Sequence, residues 1–204
     1  MQNKILNKYN YEYDSLFRFI SYFYQIDLVN ELKPKTILEI GIGNATVSNY
    51  LKQSFVIKTC DINSSTKPDY IRDVRNLGSL PDNAFDLVMA CEILEHIPFN
   101  DVGGALKELH RVTNKNVIIS VPYTSMYFEF IIKFTGLSHF FKKDFLHLIF
   151  RIPFLKPKYS SEHCWELGRI SIKKLRKILL ENFMIIKEVK PILVRHHFFI
   201  LEKR

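Results

Sequence analysis

Residues 36–46, Thr36-Ile37-Leu38-Glu39-Ile40-Gly41-Ile42-Gly43-Asn44-Ala45-Thr46, run from an apolar, strand-like segment through one carboxylate into two glycines a residue apart. The chain has only seven glycines, and two placed here mark a loop where the backbone comes close to something. The residues that follow return to helical spacing through Val47, Tyr50 and Leu51. Strand, glycine turn and helix open a βαβ unit, and in such sheets ligands sit beyond the carboxyl ends of the strands. A dinucleotide loop would read G-x-G-x-x-G and set backbone N–H groups against a pyrophosphate. Here Thr46 stands at the third glycine position. Glu39, two residues before Gly41, would repel a pyrophosphate and suits a cation.

The alternation continues on both sides of this loop. Residues 54–62 (SFVIKTCDI) read as a strand ending at Asp61, and residues 85–91 (FDLVMAC) as a buried strand. A helix is predicted from about Asp101, with Val102, Leu106, Leu109 and Val112 on one face, and residues 116–121 (NVIISV) form another strand closed by Pro122. Upstream, Leu16, Phe17, Ile20, Phe23, Tyr24, Leu28 and Leu32 give an amphipathic helix over 14–32, with Asp14 near its start and Pro34 as its stop. A last helix begins at Ser171, carries Ile172, Leu175, Ile178 and Leu179 as its stripe, and stops near Asn182. Residues 183–189 and 195–203 then make an antiparallel pair at the sheet edge, turning around Pro191. Strands alternating with helices imply right-handed crossovers and a mostly parallel sheet covered on both faces, an α/β, Rossmann-like three-layer sandwich. At 204 residues this is a single domain, residues 1–204.

Between residues 123 and 165 the pattern breaks into an aromatic stretch too long for a simple loop, and it is read as a helical insertion or lid. Its Met126, Phe128, Phe130, Phe134, Phe140, Phe141, Phe145, Phe150 and Phe154 line an apolar pocket, pack the core of a lid, or touch a membrane surface. Lys133, Lys142, Lys143 and Asp144 interrupt the run, so it cannot span a bilayer. Residues 126–158 carry six Lys or Arg against two acids, as do residues 171–190, within a net charge of +8. Such basic faces are solvated surface or attract polyanions. Cys60, Cys91 and Cys164 are widely spaced and odd in number, which fits free thiols and a reducing, cytoplasmic setting. Residues 1–14 show no secretory signal.

The segment EIGIGNAT (39–46) resembles motif I of class I S-adenosylmethionine-dependent methyltransferases, with Glu39, Gly41 and Gly43 in place and Ala45 at the third glycine. The donor in that family carries an ammonium and a sulfonium and no phosphate, which agrees with an acid at 39. The resemblance extends to FDLVMACEILEHIP (85–98), which is similar to the fourth-strand region of small-molecule methyltransferases. It implies a seven-stranded sheet with an antiparallel C-terminal hairpin, S-adenosylmethionine as cofactor and S-adenosylhomocysteine as product.

It also implies roles for single residues. Asp61, with Ile62 beside it, would meet the ribose hydroxyls, although an acid there also serves as a turn or helix cap. Asp73, with Val74, would read the adenine amino group, or else form a salt bridge with Arg72 or Arg75. Cys91 and Glu92 would border the methionine end, with Cys91 an inert buried thiol and not a nucleophile. His96, His163 and Glu166 are the catalytic candidates: His163 as a general base, or as a structural residue bonded to a backbone carbonyl. His196 and His197 alternate across a strand and cannot share a site. No metal-ligand spacing is evident.

The expected acceptor is a small molecule, apolar or amphipathic, with peripheral membrane contact through 126–156. The alternative is a protein that binds or modifies nucleic acid through the basic faces around Lys142 and Lys173. It lacks a reading motif, because CEIL (91–94) replaces the N-P-P-Y type of signature of base-modifying enzymes. Gly41→Val and Glu39→Ala are expected to abolish cofactor binding and leave the protein folded.

Overall fold

The computed structural model describes residues 13–123, 126–133, 145–152 and 163–204. The main sheet has seven strands: β1 (Thr36–Ile40), β2 (Val56–Asp61), β3 (Tyr70–Ile71), β4 (Phe85–Cys91), β5 (Thr113–Pro122), β8 (Phe183–Val189) and β9 (His196–Lys203). Their order across the sheet is β3-β2-β1-β4-β5-β9-β8. The first five are parallel, and β9 runs antiparallel to both β5 and β8. The Rossmann-like sandwich with a reversed C-terminal hairpin is therefore the observed fold.

Alternation along each strand sorts the core into two layers. Leu38, Ile40, Val88, Ala90, Val117 and Ile119 face the helices α3 (Val102–Val112) and α4 (Ile172–Leu179). Ile37, Leu87, Met89 and Ile118 face α1 (Leu16–Leu32) and α2 (Thr46–Leu51). Glu39 falls in this second set by register, so the sheet itself points its carboxylate at the α1/α2 side. Helix α1 starts with Ser15 as its cap, accepting from the Arg18 N–H, one residue beyond the expected Asp14. It ends at Lys33, whose left-handed φ of 49° precedes Pro34. Helix α4 stops at Leu179, before Asn182.

The insertion corrects the sequence reading. Residues expected to be helical are two strands, β6 (Met126–Lys133) and β7 (Phe145–Ile152), paired antiparallel in a separate ribbon. The physical reason lies in the period. Phe128, Phe130 and Ile132 alternate on one strand, opposite Phe150, Leu148 and Leu146 on the other, and aromatic and branched residues suit a pleated ribbon. Phe134, Phe140, Phe141 and Phe154 lie outside the described residues. Among the described residues no helix is long and apolar enough to cross a membrane.

Candidate active site

The carboxyl ends of β1, β2 and β4, the start of α1 and residues 193–196 enclose a cavity of about 910 Å³. Every expected cofactor residue lines it: Glu39, Gly41, Gly43, Asp61, Ile62, Asp73, Val74, Cys91 and Glu92. So do His96 and His163, while Glu166 stands behind His163.

The glycine loop is shaped by left-handed backbone, with φ of 77° at Gly41, 53° at Gly43 and 61° at Ala45. Gly41 N–H donates to the Cys60 carbonyl at 2.8 Å. Asp61 ties the loop to its own turn: Oδ2 accepts from the Ile42 N–H at 3.0 Å and Oδ1 from the Asn63 N–H at 2.8 Å. It is thus a turn residue, and a carboxylate still has lone pairs left for hydroxyl groups. A Cβ at Gly41 would lie 1.8 Å from Ile93 Cδ1, so Gly41→Val requires the Ile93 side chain to move and strains a left-handed backbone.

Glu39 is buried, and its Oε2 has no hydrogen-bond partner within the described residues. Burial pushes its pKa up to about 8, so at neutral pH the acid is mostly protonated, and a cation beside it would ionise it. Ser48 lies within hydrogen-bonding reach of the carboxyl and only partly offsets the burial; a buried acid on the cavity wall with one oxygen unpartnered fits an ammonium and not a pyrophosphate. Asp73 is committed to a salt bridge: Arg75 Nε donates to Oδ1 at 3.0 Å and Nη2 to Oδ2 at 2.6 Å. Those bonds hold its carboxyl below the usual range. Val74 packs its side chain in the core.

At the opposite end, Glu92 adopts a left-handed φ of 58° directly after β4. Its Oε1 accepts from Ser21 Oγ at 2.9 Å and lies 3.5 Å from His196 Nδ1, while Arg18 Nη1 is 3.8 Å from Oε2. Burial raises the Cys91 thiol well above its ordinary pKa, with Glu92 adding to the effect, which keeps it a thiol. The neighbouring turn of residues Leu94–His96 places Glu95 and His96 against residues 163–166. Cys164 N–H donates to the Glu95 carbonyl at 2.7 Å and Trp165 Nε1 to the Leu94 carbonyl at 2.9 Å. His163 Nδ1 and Glu166 Oε1 are 2.6 Å apart; the partner of His163 is a carboxylate and not a backbone carbonyl. His197 sits apart from His196, bonded to Glu188 and stacked on Phe199.

Sequence reading missed Arg18, Ser21, His196 and a clasp over the glycine loop. In that clasp Asn44 Nδ2 donates to both oxygens of Asp14 at 2.8 and 2.7 Å, and Tyr22 Oη donates to Asp14 at 3.1 Å. The Asn44–Asp14 contact joins residues 30 apart and the Ser21–Glu92 contact residues 71 apart, so no local signal announces them. In the basic run 171–190, Arg176 is paired with Glu188 and Lys187 with Glu31, which removes part of the surface expected to meet polyanions.

Comparison with known proteins bears on the domain family and the fold. Residues 38–121 match the family model described as a methyltransferase domain. No curated protein sequence matches the chain. Among solved structures, the PH0226 protein from Pyrococcus horikoshii OT3 superposes with a TM-score of 0.64 at 14% identity, covering 97% of this chain and 95% of that one. Magnesium protoporphyrin IX methyltransferase from Synechocystis PCC 6803, with bound S-adenosylhomocysteine, gives 0.60 at 16% identity over 90% and 82%. The 1,6-didemethyltoxoflavin-N1-methyltransferase of Burkholderia thailandensis, also with S-adenosylhomocysteine, gives 0.61 at 13% over 99% and 86%.

Proposed function

We propose that the chain, whose residues 38–121 match a methyltransferase-domain model, is a class I S-adenosylmethionine-dependent enzyme that methylates a small amphipathic acceptor taken from an anionic lipid surface. The cofactor supplies a methyl group already activated by a sulfonium, so positioning the acceptor contributes much of the rate. On this reading Glu39 would hold the cofactor ammonium, Asp61 and Ile62 the ribose, Asp73 and Val74 the adenine, and Cys91 and Glu92 the methionine end. Arg75 already occupies both Asp73 oxygens, so an adenine amino group would share that carboxylate. On the same reading, His96 and the Glu166-held His163 would face the acceptor where a hydroxyl or acid must lose its proton.

The observation that carries the acceptor class is the ribbon. Phe128, Phe130, Ile132, Leu146, Leu148 and Phe150 share one face, and all six are exposed, Phe128 by 58% and Phe150 by 57%. Solvent-facing apolar groups in this number mark an interaction surface. The six basic residues against two acids in 126–158 supply the charge that an anionic bilayer attracts. The opposite face fastens the ribbon to the cavity rim: Glu129 Oε1 accepts from the Leu193 N–H at 2.9 Å and meets His147 Nε2 at 2.6 Å. Leu193 also lines the cavity. A molecule leaving the lipid thus arrives beside the site.

Flotation with phosphatidylglycerol-containing vesicles tests this reading. The protein should float with anionic vesicles, less so in high salt. The double variant Phe128→Glu/Phe130→Glu should lose at least about tenfold in binding, with S-adenosylhomocysteine affinity unchanged. A wild-type protein that ignores vesicles and instead dimerises through this face would refute it.

A further inference from the structure

Glu95, His96 and His163 line the cavity, each offers a donor atom, and the three atoms lie within 4.8 Å of one another. Glu95 is 1% exposed, and its Oε2 has no hydrogen-bond partner among the described residues. Leaving such a buried atom unpaired is costly, which points to a ligand. The Glu166 carboxylate, itself buried, holds His163 Nδ1 at 2.6 Å. With Nδ1–H donating there, the ring lone pair falls on Nε2, the arrangement by which a carboxylate orients a metal-binding histidine.

We propose that Glu95, His96 and His163 bind a divalent cation, and that this cation holds and acidifies a hydroxyl of the acceptor. Two imidazoles and one carboxylate suit Mn²⁺, Fe²⁺, Co²⁺ or Zn²⁺ better than the all-oxygen sites of Ca²⁺ or Mg²⁺. Three protein donors leave positions open for the acceptor. Donors about 2.1 Å from one ion stand no more than about 4.2 Å apart, so a donor pair at the 4.8 Å limit closes by about half an ångström on binding. On the cation, the acceptor O–H bond breaks with its electron pair left on oxygen, the proton passes to water, and the oxyanion stays bound. His163 is then a ligand and not the base. The cation site stands on this geometry alone; its role at the acceptor rests on the methyltransferase reading.

The test titrates tag-free protein with MnCl₂, following free Mn²⁺ by electron paramagnetic resonance. Mn²⁺ is chosen because Cys164, exposed beside His163, attracts thiophilic ions. Co²⁺ is added in a Cys164→Ser background and followed by visible absorption. One ion per chain is expected, weakened at least about tenfold by His96→Ala and by Glu95→Gln, and by His163→Ala should Glu95→Gln fail to fold. Calorimetry with S-adenosylhomocysteine, expected to be unchanged in these variants, reports separately on folding and on the cofactor reading. Wild-type protein that binds S-adenosylhomocysteine but neither Mn²⁺ nor Co²⁺ overturns the site, and undiminished binding in folded variants overturns its ligands. Metal bound without S-adenosylhomocysteine would keep the site and sink the methyltransferase reading instead.

Discussion

Glu39→Gln should raise the melting temperature of the empty protein by about 4 °C at pH 9 while weakening S-adenosylhomocysteine at least a hundredfold, the scale of losing a buried charge partner. The two effects have one cause. The Glu39 carboxyl has a pKa of about 8 in the folded protein, raised by burial from 4.5. Between these values the folded chain holds a proton that the unfolded chain has released. Stability therefore falls as pH rises through this window, and above it the buried charge is a full burden. Glutamine keeps the shape without the charge, so variant and wild type should melt together near pH 5 and separate towards pH 9. Binding of an ammonium reverses the balance by ionising Glu39 and releasing its proton. Wild-type affinity should rise with pH towards 8, by up to about tenfold per unit, and the variant should show no such slope from this group. Calorimetry in buffers of different ionisation heat counts the proton. A flat wild-type profile from pH 6 to 8, or tight binding by the variant, would remove Glu39 from the cofactor site.

Gly41→Val should destabilise the protein by about 2–5 kcal/mol, combining left-handed strain of about 1–2 kcal/mol with overpacking of about 1–3. The residue sits at φ 77°, and its new Cβ would meet Ile93 Cδ1 at 1.8 Å and Cγ1 at 2.7 Å. Urea denaturation measures the loss. Adding Ile93→Ala removes the colliding atoms, so the double variant should regain the overpacking part relative to Ile93→Ala alone and keep the backbone strain. Wild-type stability in Gly41→Val, or no rescue, would show that the loop relaxes freely around Ile93.

What could be read beforehand divides by range. Strands such as 36–40 and 85–91 declare themselves because both their faces are buried, and the loop between β1 and α2 because few residues except glycine accept its dihedral angles. The strands Met126–Lys133 and Phe145–Ile152 read as helix in the sequence because their phenylalanines also fit a helical stripe, and only the partner strand reveals the alternation. Glu95 went unmarked although His96 was singled out. In sequence it is one acid in a polar turn, and its meaning comes from His163, brought alongside by Trp165 and Cys164. Asp73 shows the limit from the other side: the salt bridge with Arg75 was foreseen from two neighbours in the chain, whereas Ser21 and His196 meet Glu92 only through the folded sheet.

The order of the strands also bears on how the chain is made. Strand β9 is last in sequence among the seven, yet it lies inside the sheet between β5 and β8, and Lys203 bonds the His110 and Thr113 carbonyls at 2.6 and 2.8 Å. A ribosome adding about 5–20 residues each second delivers β1 to β5 several seconds before β9 exists. Throughout that interval the free edge of β5 is an open template for pairing with another chain. The nascent protein therefore passes its most aggregation-sensitive stage with the cofactor loop already synthesised, and β9 is what ends it.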